Sequence, residues 1–138
     1  MKKIHVNISQ KTLEAQNRHR DENNLLQSRL NLLDGKDKVL MSMYLENGNS
    51  FRQIARLTGI SEARIARRIH GLIKRLIDGQ FIVCLRNRDK FTPEQLAIAK
   101  DYFLIGLSIS KIATKRHWSC YHVRRTIKKI QNVLNDCG

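Results

Sequence analysis

The sequence predicts an all-α fold, and three observations carry that expectation. Proline occurs once and glycine seven times in 138 residues, which suits long helices joined by short turns better than an all-β fold. Apolar residues recur at helical spacing: Ile65, Ile69, Leu72 and Leu76 form one seam. The chain also repeats itself. Tyr44, Gly48, Ser50, Ile54, Ala55, Ser61, Arg67, Ile69 and Leu76 recur as Tyr102, Gly106, Ser108, Ile112, Ala113, Ser119, Arg125, Ile127 and Leu134, at a constant offset of 58. A repeat of this length is the mark of one supersecondary unit used twice. The hydrophobic share, 41%, is enough for compact helical cores and too high for a disordered chain. The length allows one domain or two small ones.

The elements follow in order. Ile4, Val6 and Ile8 alternate with polar residues and suggest a short strand. Ser9 is placed to cap a polar helix over residues 10–33, whose apolar Leu26, Leu30 and Leu33 crowd towards its C-terminal end. Residues 1–35 thus form an N-terminal arm and helix. Residues 36–79 form the first repeated unit. Val39, Leu40, Met43 and Tyr44 mark its first helix, Gly48 stops that helix, and Ser50 caps a short helix over 51–57. Thr58-Gly59-Ile60 is the turn, and Ser61 caps a long helix to about residue 77. Residues 80–90 read as a linker: Phe81–Leu85 has strand propensity, with apolar packing between the two units as its alternative, and residues 86–90 read as a turn or flexible basic link. Residues 91–138 form the second unit. Thr92-Pro93-Glu94-Gln95 is a capping box with proline at the first helical position. Leu96, Ile98, Ala99, Tyr102 and Phe103 give the buried stripe, Gly106 the stop, and Ser108 and Ser119 the next two caps.

This pattern is that of a helix-turn-helix, met twice in tandem as three-helix units. Ala55 suits a close crossing of two helices. Gly59 suits a turn residue at positive φ, and Ser61 satisfies the first N–H groups of the following helix. In the second copy His117 and Trp118 replace Gly59 and Ile60; histidine tolerates positive φ better than branched residues do. With the apolar seam turned inward, the outward face of the first long helix carries Ala63, Arg67, His70 and Lys74, flanked by Arg64, Arg68 and Arg75. That of the second carries Tyr121, Arg125, Lys128 and Asn132, flanked by Arg124 and Lys129. Arginine grips guanine edges bidentately and phosphate oxygens accept from the remaining cations. The candidate DNA-binding residues are therefore Ser61, Glu62, Ala63, Arg64, Arg67, Arg68, His70 and Lys74 in the first copy. In the second they are Ser119, Tyr121, His122, Arg124, Arg125, Lys128 and Lys129. The plain alternative is a solvated basic helix in an ordinary bundle.

Charge supports the sharper reading. Lysine and arginine number 26 against 12 acids, a formal net +14, which attracts polyanions at long range. The excess lies in the repeats: +2 over residues 1–35, +5 over 36–79 and +7 over 80–138. Other classes lack support. Cys84, Cys120 and Cys137 form no CxxC pair and no disulfide framework, as expected of a reducing compartment. No apolar run is long enough to span a bilayer, and no signal-peptide core follows Met1-Lys2-Lys3. His117, Cys120 and His122 would diverge at a helix start with no fourth ligand nearby, so no metal is expected. No phosphate-binding glycine loop or two-metal acid cluster suggests an enzyme, and no cofactor is expected.

The stretch Ser50-Phe51-Arg52-Gln53-Ile54-Ala55-Arg56-Leu57-Thr58-Gly59-Ile60-Ser61-Glu62-Ala63-Arg64-Ile65-Ala66-Arg67-Arg68-Ile69-His70 resembles region 4 of bacterial sigma factors, particularly the extracytoplasmic-function class. Thr92-Pro93-Glu94-Gln95, Gly106-Leu107-Ser108 and Ile112-Ala113 are similar to the helix-turn-helix of site-specific recombinases and transposases. The first resemblance implies recognition of an upstream promoter element, the second binding to recombination sites. The expectation is a cytoplasmic, nucleoid-associated, sequence-specific binder of double-stranded DNA that regulates transcription through two different recognition helices. Two alternatives stay open. One is a sigma-like protein that docks on RNA polymerase or a self-partner, with the N-terminal helix as a docking element. The other is an accessory DNA-binding factor of a recombination or mobile-element system.

Overall fold

The structure, a computed structural model, describes residues 10–137. It is all-α: among the described residues there are eight α-helices and no strand. They are α1 (Gln10–Arg29), α2 (Gly35–Leu45), α3 (Phe51–Thr58), α4 (Glu62–Asp78), α5 (Gln80–Arg86), α6 (Pro93–Ala99), α7 (Ile109–Arg116) and α8 (Cys120–Cys137). Short 3-10 turns lie at Leu30–Leu32 and Arg88–Lys90, and a π-helical segment, Lys100–Ile105, prolongs α6. The strand expected at residues 4–8 and the cap at Ser9 lie outside the described residues. The chain divides into two compact units, Met1–Ile65 and Ala66–Gly138, with the boundary inside α4.

In the first unit the helix expected over 10–33 ends at Arg29 and tightens into a 3-10 turn. That turn eclipses side chains three apart, and Leu30 and Leu33 are both buried, with Leu26 beside them. Helix α2 packs on α1 and on α3. Its inward residues are Leu40 and Met41, while Val39, expected on the apolar stripe, is 53% exposed. The reason is register. At 100° per residue, a helix that turns Leu40 and Met41 inward carries Val39 towards solvent. Ser50 caps α3 as expected: its Oγ accepts from Gln53 N at 3.2 Å, and Gln53 Oε1 accepts from Ser50 N at 2.9 Å. Ile54 is fully buried behind that cap.

The second unit corrects two expectations. Phe81–Leu85, expected to have strand propensity, lies in helix α5. Gly79, at φ +71, redirects the chain after α4. The next two turns then bury Phe81 and Cys84, three apart, and satisfy their own backbone bonds without a neighbouring strand. The basic stretch after it is also ordered, with Lys90 N donating to Asn87 O at 2.9 Å. Helix α6 starts at the expected Thr92 capping box and packs against α5 and α8. Of the expected stripe, Ile98 and Ala99 are buried, whereas Leu96, Tyr102 and Phe103 are half-buried. The π-helical turn shifts the register by about one residue and carries Leu104 and Asp101 inward instead.

Asp101 is only 1% exposed, and a carboxylate so placed is costly unless paired. Lys115 Nζ lies 2.8 Å from its Oδ1 and Arg116 Nε 2.9 Å from its Oδ2. Both cations come from the last turn of α7, so the pair fixes α7 on the π-helical segment. Replacing both Lys115 and Arg116 with Met leaves the carboxylate without compensation and should cost about 3 kcal/mol in urea unfolding. Either single change should cost much less than half as much, because the other cation remains. A double variant as stable as the parent would refute this role.

Burial pushes the Cys84 thiol up from 9.0 to about 11, and neighbouring Cys137 acts in the same direction. A raised folded-state pKa contributes stability that is full below the ordinary thiol value and is lost as pH climbs to about 11. Stability should therefore fall across that alkaline window, and Cys84→Ala should flatten the fall. An unchanged profile in the variant would assign the fall to other groups.

Candidate nucleic-acid interface

The two helix pairs expected from the repeat, α3 with α4 and α7 with α8, share local construction. Each first helix ends on a residue in the left-handed region: Gly59 at φ +76 and His117 at φ +59. Gly59 N donates to Ala55 O at 2.9 Å, and Trp118 N to Ala113 O at 3.0 Å. Serine then caps each long helix. Ser61 Oγ accepts from Arg64 N at 3.3 Å, and Ser119 Oγ from His122 N at 3.1 Å. His117 is the one non-glycine residue at positive φ among the described residues, so the second copy makes the same turn without glycine.

In the second unit, Val123, Thr126, Ile127 and Ile130 turn α8 inward, and the helix packs on α5, α6 and α7. Thr126 is satisfied within the helix, its hydroxyl donating to His122 O at 2.9 Å. The opposite face is exposed at Ser119, Tyr121, Arg124, Arg125, Lys128, Lys129 and Asn132. Tyr121 is 68% exposed, and with Arg124, Arg125 and Lys128 it lines one shallow groove. These four residues sit at helical spacings of three and four, so one stripe holds an aromatic ring and three cations. The first acid in α8 is Asp136, in its final turn, and the residues that line the groove include no acid. His122 is placed differently. Its ring packs edge-on to Trp118 with centroids 4.2 Å apart, and its Nε2 lies 3.7 Å from Glu94 Oε1. Although exposed, it is oriented by the helix behind it.

The first copy is divided by the unit boundary. In the first unit Ser61, Glu62, Ala63 and Arg64 are exposed and Ile65 is buried. In the second unit α4 continues with Arg67, His70 and Lys74 exposed, Arg68 half-buried, and Ile69, Leu72 and Leu76 buried. Arg75, expected among the flanking cations, has another task. Its Nε donates to Leu104 O at 2.8 Å and its Nη2 to Ile105 O at 3.1 Å, closing the end of the π-helical segment.

Asp101 and Arg75 are the positioning residues that sequence patterning missed. A hint of the first was available: an acid lies inside the apolar stripe between Ile98 and Tyr102, and two adjacent cations follow at Lys115-Arg116. No group of three or more histidine, cysteine or acidic residues able to hold a metal occurs among the described residues. No described helix is long and apolar enough to cross a membrane.

The turn at His117 can be tested by stability. A side chain in the left-handed region costs about 1 kcal/mol relative to glycine. His117→Gly should be neutral or stabilising by up to about that amount, and His117→Val should destabilise by roughly 1–2 kcal/mol. If valine were tolerated as well as glycine, the turn would not have this conformation in solution. No protein-family model, curated protein or solved structure matches the chain.

Proposed function

We propose that the protein binds double-stranded DNA sequence-specifically and regulates transcription, working as a binding protein in the cytoplasm on the nucleoid. The observation that carries this reading is the α8 stripe of Tyr121, Arg124, Arg125 and Lys128. It is exposed, free of acids, and backed by a buried apolar seam on a helix that a turn and a serine cap present end-on. A helix of this kind fits the major groove of B-form DNA, with arginine able to bind guanine bidentately and the other cations on phosphates. In α4, Arg67 is the counterpart of Arg125 and His70 of Lys128. The two helices then read different half-sites. A net charge of +14 supplies the sequence-independent part of the affinity.

A second reading has α1 dock on RNA polymerase or on a second copy while one helix pair binds DNA. Its support is the exposure of seven consecutive residues, 16–22, on α1. A polymerase pull-down and a solution mass separate the two readings.

Selection of bound sites from random duplex DNA gives the targets on which the variants are compared. Affinity should drop roughly 10³-fold between about 50 and 200 mM salt. Arg125→Ala should cost about 1–3 kcal/mol on the selected site and little on random DNA. Lys129→Ala should weaken both alike and lower the salt slope by about one. Equal losses on specific and random DNA for both variants would overturn the assignment of Arg125 as a base reader, and salt-insensitive affinity would overturn DNA binding itself.

A further inference from the structure

One member of the α8 stripe carries no charge. Arg124, Arg125 and Lys128 are cations suited to phosphates or guanine, whereas Tyr121 is an aromatic ring, 68% exposed. It is the second residue of α8, directly after the Ser119 cap and Cys120. The first turns of a recognition helix are the part that faces base edges in the major groove. At the offset of 58 the counterpart of Tyr121 is Ala63, so the ring belongs to the second copy alone.

The groove that Tyr121 lines measures about 280 Å³. Three of its four lining residues are cations, yet its walls are mostly carbon. In residues of these types the carbon is the tyrosine ring and the methylene stems of the long cations, whose charged heads turn to water. Such walls do not suit a phosphate. The flat faces of the bases are not on offer either, because they stay stacked in a duplex. The major groove presents base edges, whose donors and acceptors are polar, and the one apolar group among them is the C5-methyl of thymine. Arg125 stands one turn beyond Tyr121, about 6 Å along the axis. Base pairs stack about 3.4 Å apart, so the two side chains reach pairs no more than about two steps apart.

We propose, resting on the reading of α8 as a groove-reading helix, that Tyr121 is a specificity-determining residue. Its ring receives the C5-methyl group of a thymine within about two base pairs of the guanine bound by Arg125. The methyl is recognised by shape and burial, not by charge, so the preference for it survives where salt screens the phosphate contacts.

The test replaces each thymine of the selected site singly with uracil, which removes the methyl and leaves the pairing edge unchanged. The guanine is located by the base preference that Arg125→Ala relaxes. At one thymine near it the parent protein should bind uracil about 4-fold more weakly, the worth of one buried methyl group. That ratio should hold at about 50 and 200 mM salt while both affinities fall. Tyr121→Ala should bind the thymine and uracil sites equally, and random DNA within about 2-fold of the parent. Tyr121→Phe should keep the preference. Tyr121 is exposed, so neither variant removes a core contact. Equal binding of thymine and uracil at every position, a preference that persists in Tyr121→Ala, or a selected site with no thymine near that guanine overturns this inference and leaves DNA binding by α8 standing. A preference there for 5-methylcytosine over cytosine, without one for thymine over uracil, overturns the thymine assignment in the same way. If no duplex is bound specifically, the reading of α8 falls and this inference with it.

Discussion

The buried carboxylate of Asp101 sets the terms for the second unit. A charge so far from water must be neutralised on the spot, and its compensation comes from Lys115 and Arg116. Those two residues sit directly before His117. Pinning them to the π-helical segment therefore fixes where the turn begins and, through the Ser119 cap, how α8 leaves it. The first copy reaches the same turn without charge. Met43, Leu57 and Thr58 stand where Asp101, Lys115 and Arg116 stand. Leu57 is 66% exposed there, and Thr58 hydroxyl donates to Ile54 O at 2.8 Å. Buried ion pairs add little net stability over apolar packing, but they penalise misregistered alternatives. That distinction suits the copy that has no glycine at its turn.

The parts of the fold that were legible in the sequence are those decided within a few residues. Ser50 with Gln53, and Thr92 with Gln95, form capping boxes in place, and Ser108 and Ser119 cap as their positions imply. Each cap is a contact between residues three apart, so no tertiary information is needed to foresee it. Phe81–Leu85 was not legible for the opposite reason. Five apolar residues fit a strand or a short helix equally well, and the choice fell to Gly79 and to the burial of Phe81 and Cys84. The π-helical segment was hidden too. One residue of slippage in an apolar stripe leaves no local trace, and what holds it, Asp101 and Arg75, acts across 14 to 30 residues.

The candidate site divides along the same line. Exposure of Tyr121, Arg124, Arg125, Lys128 and Lys129 follows from the period of Val123, Ile127 and Ile130, because a helix that buries one face must show the other. The engagement of His122 with Trp118 and Glu94 does not follow, since Glu94 belongs to another helix. Arg75 looked like one more surface cation on α4, and only the fold reveals that two carbonyls claim it. The exposed face of a helix is thus readable from sequence as a stripe, but not which members of the stripe are already spoken for.

The hold of Arg75 on Leu104 and Ile105 also bears on modularity. The duplicated segment and the folded body have different edges: the repeat suggests a module starting near residue 91, yet the body that completes it starts at Ala66. A fragment cut at the repeat boundary would keep α6, α7 and α8 intact in sequence. It would lose both hydrogen bonds that close the π-helical segment, and Phe81 and Cys84 with them. The second copy is therefore not portable by itself. Its last structural component lies in the long helix of the first, so the second copy can be moved or engineered only with the residues from Ala66 onward.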